Sequence, residues 1–154
     1  MDKIEAILCI YTYFCYICEI NLGFMEISTA KIEALRELIA TPRSIVILSH
    51  TNPDGDAVGS SLAWAEILRK QGHEVTCILP NRYPYYLEFM PNISSVVIFK
   101  QDDKGAAKEA LKRADIIFCL DFHLLSRLDQ LGDLIDENQH AKRVLIDHHL
   151  DASE

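Results

Sequence analysis

The sequence is short of basic residues. Fifteen lysines and arginines stand against 23 aspartates and glutamates, which gives a formal net charge of −8. Such a surface repels phosphate polyanions, so binding of long duplex nucleic acid through a basic face is disfavoured, and any recognition of nucleic acid must be local. A chain of 154 residues, 49% of them hydrophobic, can bury the core of one globular domain.

Long apolar runs are also missing. The longest run, residues 6–17, is about a dozen residues, whereas a membrane-spanning helix needs about 20. Only Lys3 precedes this run as a basic residue, and a signal peptide would want a more basic start and a small-residue cleavage site. We therefore expect no membrane partner. We expect residues 1–24 to be an upstream extension, or the result of a start assigned to Met1 in place of Met25, and to be removable without loss of the fold.

The five cysteines do not form the framework of a secreted, disulfide-bonded protein. Their number is odd, and three are crowded at Cys9, Cys15 and Cys18. Cys15 and Cys18 form a C-x-x-C pair, but no second pair completes a zinc site and no βαβ pattern supports a redox site there. A reducing cytoplasm is the location that fits this pattern.

Strand and helix patterns alternate through the rest of the chain. A capped amphipathic helix is predicted to begin at Ser28 or Thr29, with an apolar stripe at Ile32, Leu35, Leu38 and Ile39. Continuous runs of Val, Ile and Leu predict strands at residues 44–49, 74–80, 95–99, 115–120 and 143–147. Helices are predicted at 57–72, 102–114 and 124–138, with a weak helix near Leu87. This alternation predicts an α/β fold with a doubly wound, mostly parallel sheet and helices on both faces.

Aspartates and histidines follow three of the predicted strands. The first strand is followed by His50, Asp54 and Asp56, the fourth by Asp121, and the last by Asp147, His148 and His149. Open α/β sheets place their sites at the carboxyl ends of strands, and this mixture of ligands suits Mn²⁺, Mg²⁺ or Zn²⁺. Four clustered aspartates cannot all stay ionised without cations, so the pattern predicts two divalent ions.

The glycines and serine of the first loop suggest a phosphate contact. Gly55 and Gly59 would allow a tight turn, and the amides of Gly59 and Ser60 near the helix start would be open toward an anion. Each part also has an ordinary interpretation, because NPDGD is a common turn sequence, Asp121 could cap a helix, and adjacent histidines are often solvated. It is the joint placement on one edge that predicts a metal site.

Three motifs carry a resemblance to a known family. SHTNPDGDAVGS at residues 49–60, CLDF at 119–122 and DHH at 147–149 resemble the ordered motifs of the DHH phosphoesterases, over roughly residues 44–150. The resemblance implies hydrolysis of phosphoester or phosphoanhydride bonds by a hydroxide activated at two metals, usually Mn²⁺, with Mg²⁺ or Co²⁺ as other choices. It implies that His50 and Asp54 bind one metal, that Asp56 and His148 bind the other, and that Asp121 binds both. His149 would contact the phosphoryl group, and Asp147 would orient the histidines.

The surroundings of these motifs look most like one branch of the family. GDAVGS at 55–60, RKQGHEVTCILPN at 69–81 and LDFHLLSRLDQLG at 120–132 are similar to the branch that degrades very short oligoribonucleotides and dephosphorylates 3′-phosphoadenosine 5′-phosphate. His123 stands where that branch more commonly has Asn. It either approaches the metal edge or is only a helix-start residue, and the second interpretation is favoured. His73 and His140 are expected to be solvated.

The resemblance also implies parts that these 154 residues do not show. Family members carry a further Asp ligand beyond the DHH motif and a carboxyl-terminal substrate-binding domain. Residues 25–154 are therefore expected to be a partial DHH domain with weak activity of its own. The expected partner is a short single-stranded oligoribonucleotide or a small nucleotide, and homo-oligomerisation stays open. The alternatives are an inorganic pyrophosphatase, a relative of cyclic-dinucleotide phosphodiesterases, or a metal-binding remnant without activity.

Overall fold

The computed structural model describes residues 28–148. The chain divides into two compact units, with the boundary between Leu38 and Ile39. Helix α1 (Thr29–Leu38) lies in the first unit, and Ser28 caps it, because Ser28 Oγ accepts a hydrogen bond from the Lys31 N–H at 3.3 Å. The predicted extension at residues 1–24, its three cysteines and His149 lie outside the described residues.

The second unit is built on a five-stranded parallel sheet with the order β3-β2-β1-β4-β5. The chain runs outward from β1 to β3, returns to place β4 on the other side of β1, and ends with β5 at that edge. This is the predicted doubly wound α/β fold, with its switch point between β1 and β4. The strands are β1 (Ser44–Leu48), β2 (Glu74–Leu79), β3 (Val97–Ile98), β4 (Ile116–Leu120) and β5 (Lys142–Ile146).

Helices cover both faces of this sheet. Helix α2 (Gly55–Lys70) covers one face, where Trp64 packs edge-on against Phe118 of β4 with ring centroids 5.4 Å apart. Helices α3 (Ala106–Arg113) and α4 (Leu131–Glu137) cover the other face. Their apolar side chains form one buried cluster with β1 and β4 that includes Ala110, Leu111, Leu131, Ile135, Val46 and Ile117. Within residues 28–148, none of the helices combines the length and apolar character needed to cross a bilayer.

Three predicted elements are shorter than expected. The helix predicted at 102–114 begins only at Ala106, because Gly105 has a φ of 72° and Asp102 Oδ2 accepts a hydrogen bond from the Ala107 N–H at 2.7 Å. The helix predicted at 124–138 is split into a 3₁₀ turn (Leu125–Leu128) and α4, because Asp129 between them has a φ of 54°. The strand predicted at 95–99 is reduced to β3. The weak helix predicted near Leu87 is a 3₁₀ turn (Tyr85–Leu87).

The prediction that His73 is solvated is wrong. The side chain is buried, and its ring joins two backbone groups: the Arg43 N–H donates to Nδ1 and Nε2 donates to the Ile39 carbonyl, each at 3.1 Å. Since a carbonyl only accepts, these contacts specify the Nε2–H tautomer. The preceding Gly72 has a φ of 93° and ends α2, with the His73 N–H bonded to the Leu68 carbonyl.

Candidate metal centre

The parallel strands bring the predicted ligands to one edge of the sheet. Leu48 of β1 pairs with Cys119 of β4, and the same register continued by two residues places His50 opposite Asp121. Leu120 of β4 pairs with Ile146 of β5, so Asp147 follows opposite Asp121. Because Asp121 is on the strand between the two, it is the central residue of the edge.

Five of these side chains form two groups that share one member. Ligand atoms of His50, Asp54 and Asp121 lie within 4.8 Å of one another, and so do those of Asp56, Asp121 and His148. His148 Nε2 lies 3.2 Å from Asp121 Oδ1 and 3.4 Å from Asp56 Oδ2, while His50 Nε2 lies 3.5 Å from Asp121 Oδ2. The structure therefore brings together all five residues that the sequence nominates as metal ligands.

Asp121 is held rigidly between these groups. Its φ of 66° lies in the left-handed region, and its N–H donates to the Ile146 carbonyl at 3.0 Å. Burial raises the pKa of its carboxyl above the ordinary value; the charges of Asp56 and Asp54 act in the same direction, and His50 and His148 oppose them. A bound cation would reverse this balance, since it favours the ionised form of all three carboxyls.

The ring of His50 is oriented as a metal ligand requires. Its Nδ1 lies 2.9 Å from the Thr51 carbonyl, which can only accept, so Nδ1 carries the hydrogen. In the neutral ring, Nε2 then presents a lone pair toward the Asp121 carboxylate. Two electron donors, the ring nitrogen and the carboxylate oxygen, therefore face the same point. A cation between them turns this facing pair into two ligand contacts, and a backbone carbonyl behind the ring is a common support for a metal-binding histidine. The donor set of two imidazoles and three carboxylates fits a divalent cation.

Asp54 anchors the ligand loop at the start of α2. Its Oδ1 accepts hydrogen bonds from the N–H groups of Asp56 and Ala57 at 3.0 and 3.1 Å, and its carbonyl accepts from the Val58 N–H at 3.1 Å. Oδ2 lies outside this cap, so the carboxylate can cap the helix and bind a cation together.

The same cap contradicts the predicted anion contact of Gly59 and Ser60. These residues lie at the fifth and sixth positions of α2, where the N–H groups bond to carbonyls one turn earlier. The first-turn N–H groups that could meet an anion are largely occupied by Asp54. The predicted phosphate contact through the amides of Gly59 and Ser60 is therefore wrong.

Gly59 serves no conformational need in this helix. A Cβ added there meets nothing within 4 Å, and we expect Gly59→Ala to raise the free energy of unfolding by about 0.5–1 kcal/mol, since alanine favours the helix. Urea unfolding measures this shift. Gly72→Ala is the matched control with the opposite sign, because its φ of 93° strains any side chain. A lower midpoint for Gly59→Ala would mean that the loop does depend on this glycine.

Asp147 connects the last strand to His123. The nearly buried Asp147 side chain accepts the His148 N–H on Oδ1 at 2.9 Å, and its Oδ2 lies 3.0 Å from His123 Nδ1. The interpretation of His123 as only a helix-start residue is thus wrong, because its ring belongs to the edge that carries the ligands. The implied role of Asp147 in orienting the histidines stays a prediction, because the bond to His148 is made to its backbone N–H and His149 lies outside the described residues.

The thiols in this part of the chain do not contribute ligands. Cys77 and Cys119 are buried and free, and burial raises the pKa of each to about 11, against the opposing charges of Arg69 and Arg143 respectively. A thiol with so high a pKa is a poor nucleophile and ligand near neutral pH. Among residues 28–148, the metal candidates are therefore oxygen and nitrogen ligands alone.

Two asparagines that the sequence pattern does not point to form a clamp beside the ligand loop. The Asn52 N–H donates to Asn81 Oδ1 at 2.8 Å, and Asn81 Nδ2 donates to Asn52 Oδ1 at 3.2 Å. Asn52 has a φ of 55°, a conformation that asparagine tolerates in turns, and its place before Pro53 is the one local signal. The clamp joins the loop after β2 to the loop that carries His50, Asp54 and Asp56.

Comparisons with known proteins agree with this geometry. Residues 44–154 match the family model described as the DHH family, N-terminal domain. The fold is similar to the crystal structure of an exopolyphosphatase-related protein from Bacteroides fragilis, with a TM-score of 0.79 and 33% sequence identity. That match covers 86% of this chain and 38% of the other, so this chain spans well under half the length of the protein it resembles.

Proposed function

Since the chain belongs to the DHH family, we propose that it is a metal-dependent phosphoesterase that acts on short oligoribonucleotides and on 3′-phosphoadenosine 5′-phosphate. One observation carries the proposal: two groups of three ligand residues share the buried carboxylate of Asp121. A shared carboxylate between two mixed groups is the donor arrangement expected for a pair of divalent cations, and Mn²⁺ is our choice.

Each of the two ligand groups holds one cation. His50 and Asp54 hold one, Asp56 and His148 hold the other, and Asp121 contributes to both. When bound, the cations supply activation of a water nucleophile and neutralisation of the charge on the phosphoryl oxygens. His149 is proposed to contact the phosphoryl group, as the family resemblance implies.

The chain itself fixes the ligands before any substrate arrives. The Thr51 carbonyl sets the ring of His50, the N–H groups of α2 set Asp54, and the Ile146 carbonyl sets the backbone of Asp121. Asp147 sets the backbone of His148. Preorganised ligands need no rearrangement during the reaction, and positioning with charge stabilisation is most of what catalysis of phosphoryl transfer requires.

The substrate is proposed to be small because the chain is acidic. A net charge of −8 cannot hold a long polyanion by long-range attraction. The Bacteroides fragilis protein is described as exopolyphosphatase-related, and the same donors would suit a phosphoanhydride, so short-chain inorganic polyphosphate, which avoids the repulsion of a long polyanion, is the second candidate. We expect slow turnover by the 154 residues alone, since the resemblance places further substrate contacts in a second domain, and positioning supplies much of the rate.

The test compares substrates under matched metal conditions. The chain is incubated with Mn²⁺ and, in parallel, a diribonucleotide, 3′-phosphoadenosine 5′-phosphate, a cyclic dinucleotide, pyrophosphate and polyphosphate. Hydrolysis of the first two that stops with a chelator and returns with Mn²⁺ is the expected result. Hydrolysis of polyphosphate or pyrophosphate alone would overturn the substrate proposal, and absence of Mn²⁺ binding in a calorimetric titration would overturn the metal centre.

A further inference from the structure

Three large aromatic side chains on the loop that follows β2 are exposed to solvent. Tyr85, Phe89 and Tyr86 are 82%, 78% and 58% exposed, the highest values for large hydrophobic residues within residues 28–148. Single exposed apolar residues are ordinary, but three aromatics within five positions form a patch, and such patches mark binding surfaces. We call Tyr85, Tyr86 and Phe89 the aromatic patch.

The loop that carries the aromatic patch contacts the ligand loop at two points. The clamp between Asn52 and Asn81 is the first. The second is Leu87, a buried residue of the same loop, whose Cδ2 would lie 3.8 Å from a Cβ added at Gly55. Gly55 lies between the proposed ligands Asp54 and Asp56, so the loop that carries the aromatic patch packs against the loop that carries these ligands.

The loop that carries the patch has a defined backbone. A 3₁₀ turn (Tyr85–Leu87) is followed by two further turn hydrogen bonds, from the Glu88 N–H to the Tyr85 carbonyl and from the Met90 N–H to the Leu87 carbonyl, at 3.1 and 3.0 Å. The rings of Tyr85 and Tyr86 meet edge to face, with centroids 5.9 Å apart. Such a surface is ready to receive a flat ligand at little cost in conformational entropy.

We propose that the aromatic patch stacks a nucleobase of the substrate whose phosphate lies at the metal centre. This inference rests on the proposed function and names its substrate class, nucleotides that carry a base rather than inorganic polyphosphate. Stacking is attractive for every base and does not depend on charge, so it provides a grip that a surface with a net charge of −8 cannot provide by attraction of phosphates.

The experiment measures binding without requiring turnover. A nonhydrolysable phosphorothioate diribonucleotide carrying 2-aminopurine is titrated with the whole chain in Mg²⁺, and quenching of its fluorescence reports stacking. Tyr85→Ala combined with Phe89→Ala is expected to raise Kd by ~5- to 100-fold and to remove the quenching. An abasic analogue with the same phosphate is expected to bind wild type and variant equally. Leu145→Ala removes an exposed apolar side chain from β5, outside the aromatic patch, and is expected to leave Kd unchanged.

The outcomes separate this proposal from the proposed function. Equal affinity of variant and wild type for the 2-aminopurine probe overturns the stacking role. Sedimentation of both proteins measures their oligomeric state. Self-association of the wild type that disappears in the variant would show that the aromatic patch binds a second copy of the chain, and this would also overturn the proposal. In either case, hydrolysis that persists and is still stopped by a chelator supports the proposed function as a metal-dependent phosphoesterase. Failure of the wild-type chain to bind Mn²⁺ overturns both the stacking proposal and the proposed function.

Discussion

Asp121→Asn is expected to weaken Mn²⁺ binding by more than about 100-fold and to abolish hydrolysis of the diribonucleotide. Loss of residues that only support metal ligands costs about 10- to 100-fold in affinity, and a ligand shared by both groups should cost more. Asparagine keeps the size of the side chain and tolerates the φ of 66°, so the change removes charge and little else. Isothermal titration with Mn²⁺ gives the affinity, and the diribonucleotide assay gives the activity.

The matched control is Asp133→Asn, which removes one charge from an exposed position in the first turn of α4. It is expected to bind Mn²⁺ as wild type does. Without metal, Asp121→Asn is expected to melt at or above the wild-type temperature, because it relieves repulsion with Asp54 and Asp56. Affinity within a few-fold of wild type in a folded Asp121→Asn chain would contradict the shared-ligand assignment.

Much of the sheet could be predicted from residue types alone. The strands are short runs such as SIVIL and IIFCL whose side chains are buried on both faces, and this leaves a continuous apolar pattern in the sequence. Parallel strands end at one edge, so polar residues just after them converge wherever the strands are neighbours. This is why His50, Asp121 and His148 could be nominated from sequence.

The predictions that failed concern residues whose structure depends on contacts with distant parts of the sequence or on breaks in the backbone conformation. Nothing near His73 indicates that Arg43 and Ile39, about 30 residues earlier, will bond to its ring. The left-handed backbone of Asp129 divides the helix predicted at 124–138. The sequence does not show this break, because the residues on either side of Asp129 keep the same apolar spacing. The sequence predicts that Gly59 lies near the helix start and allows a tight turn, whereas Asp54 caps a helix that begins at Gly55, four residues before Gly59.

A second large effect is expected at Asn138, a buried side chain that joins α3 to the segment before β5. Its Nδ2 donates to the carbonyls of Leu111 and Ala114 at 2.7 and 3.0 Å, and its Oδ1 accepts from the N–H groups of His140 and Ala141 at 3.2 and 3.0 Å. Asn138→Ala leaves the Ala114 carbonyl and the Ala141 N–H buried without these partners, whereas the Leu111 carbonyl keeps the Ala114 N–H; each orphaned group costs about 1–3 kcal/mol. We expect a loss of about 3 kcal/mol in the free energy of unfolding, measured by urea denaturation.

Asn138→Asp separates hydrogen bonding from packing, because aspartate has nearly the same shape but cannot donate to the Leu111 and Ala114 carbonyls when ionised. It is expected to destabilise the chain at neutral pH as much as alanine does. The neighbouring Gln139 is exposed, so Gln139→Ala is the matched control and should change the stability by less than about 0.5 kcal/mol. If Asn138→Asp kept wild-type stability, the bonds to the two carbonyls would not be what holds α3 to the strand that delivers Asp147 and His148.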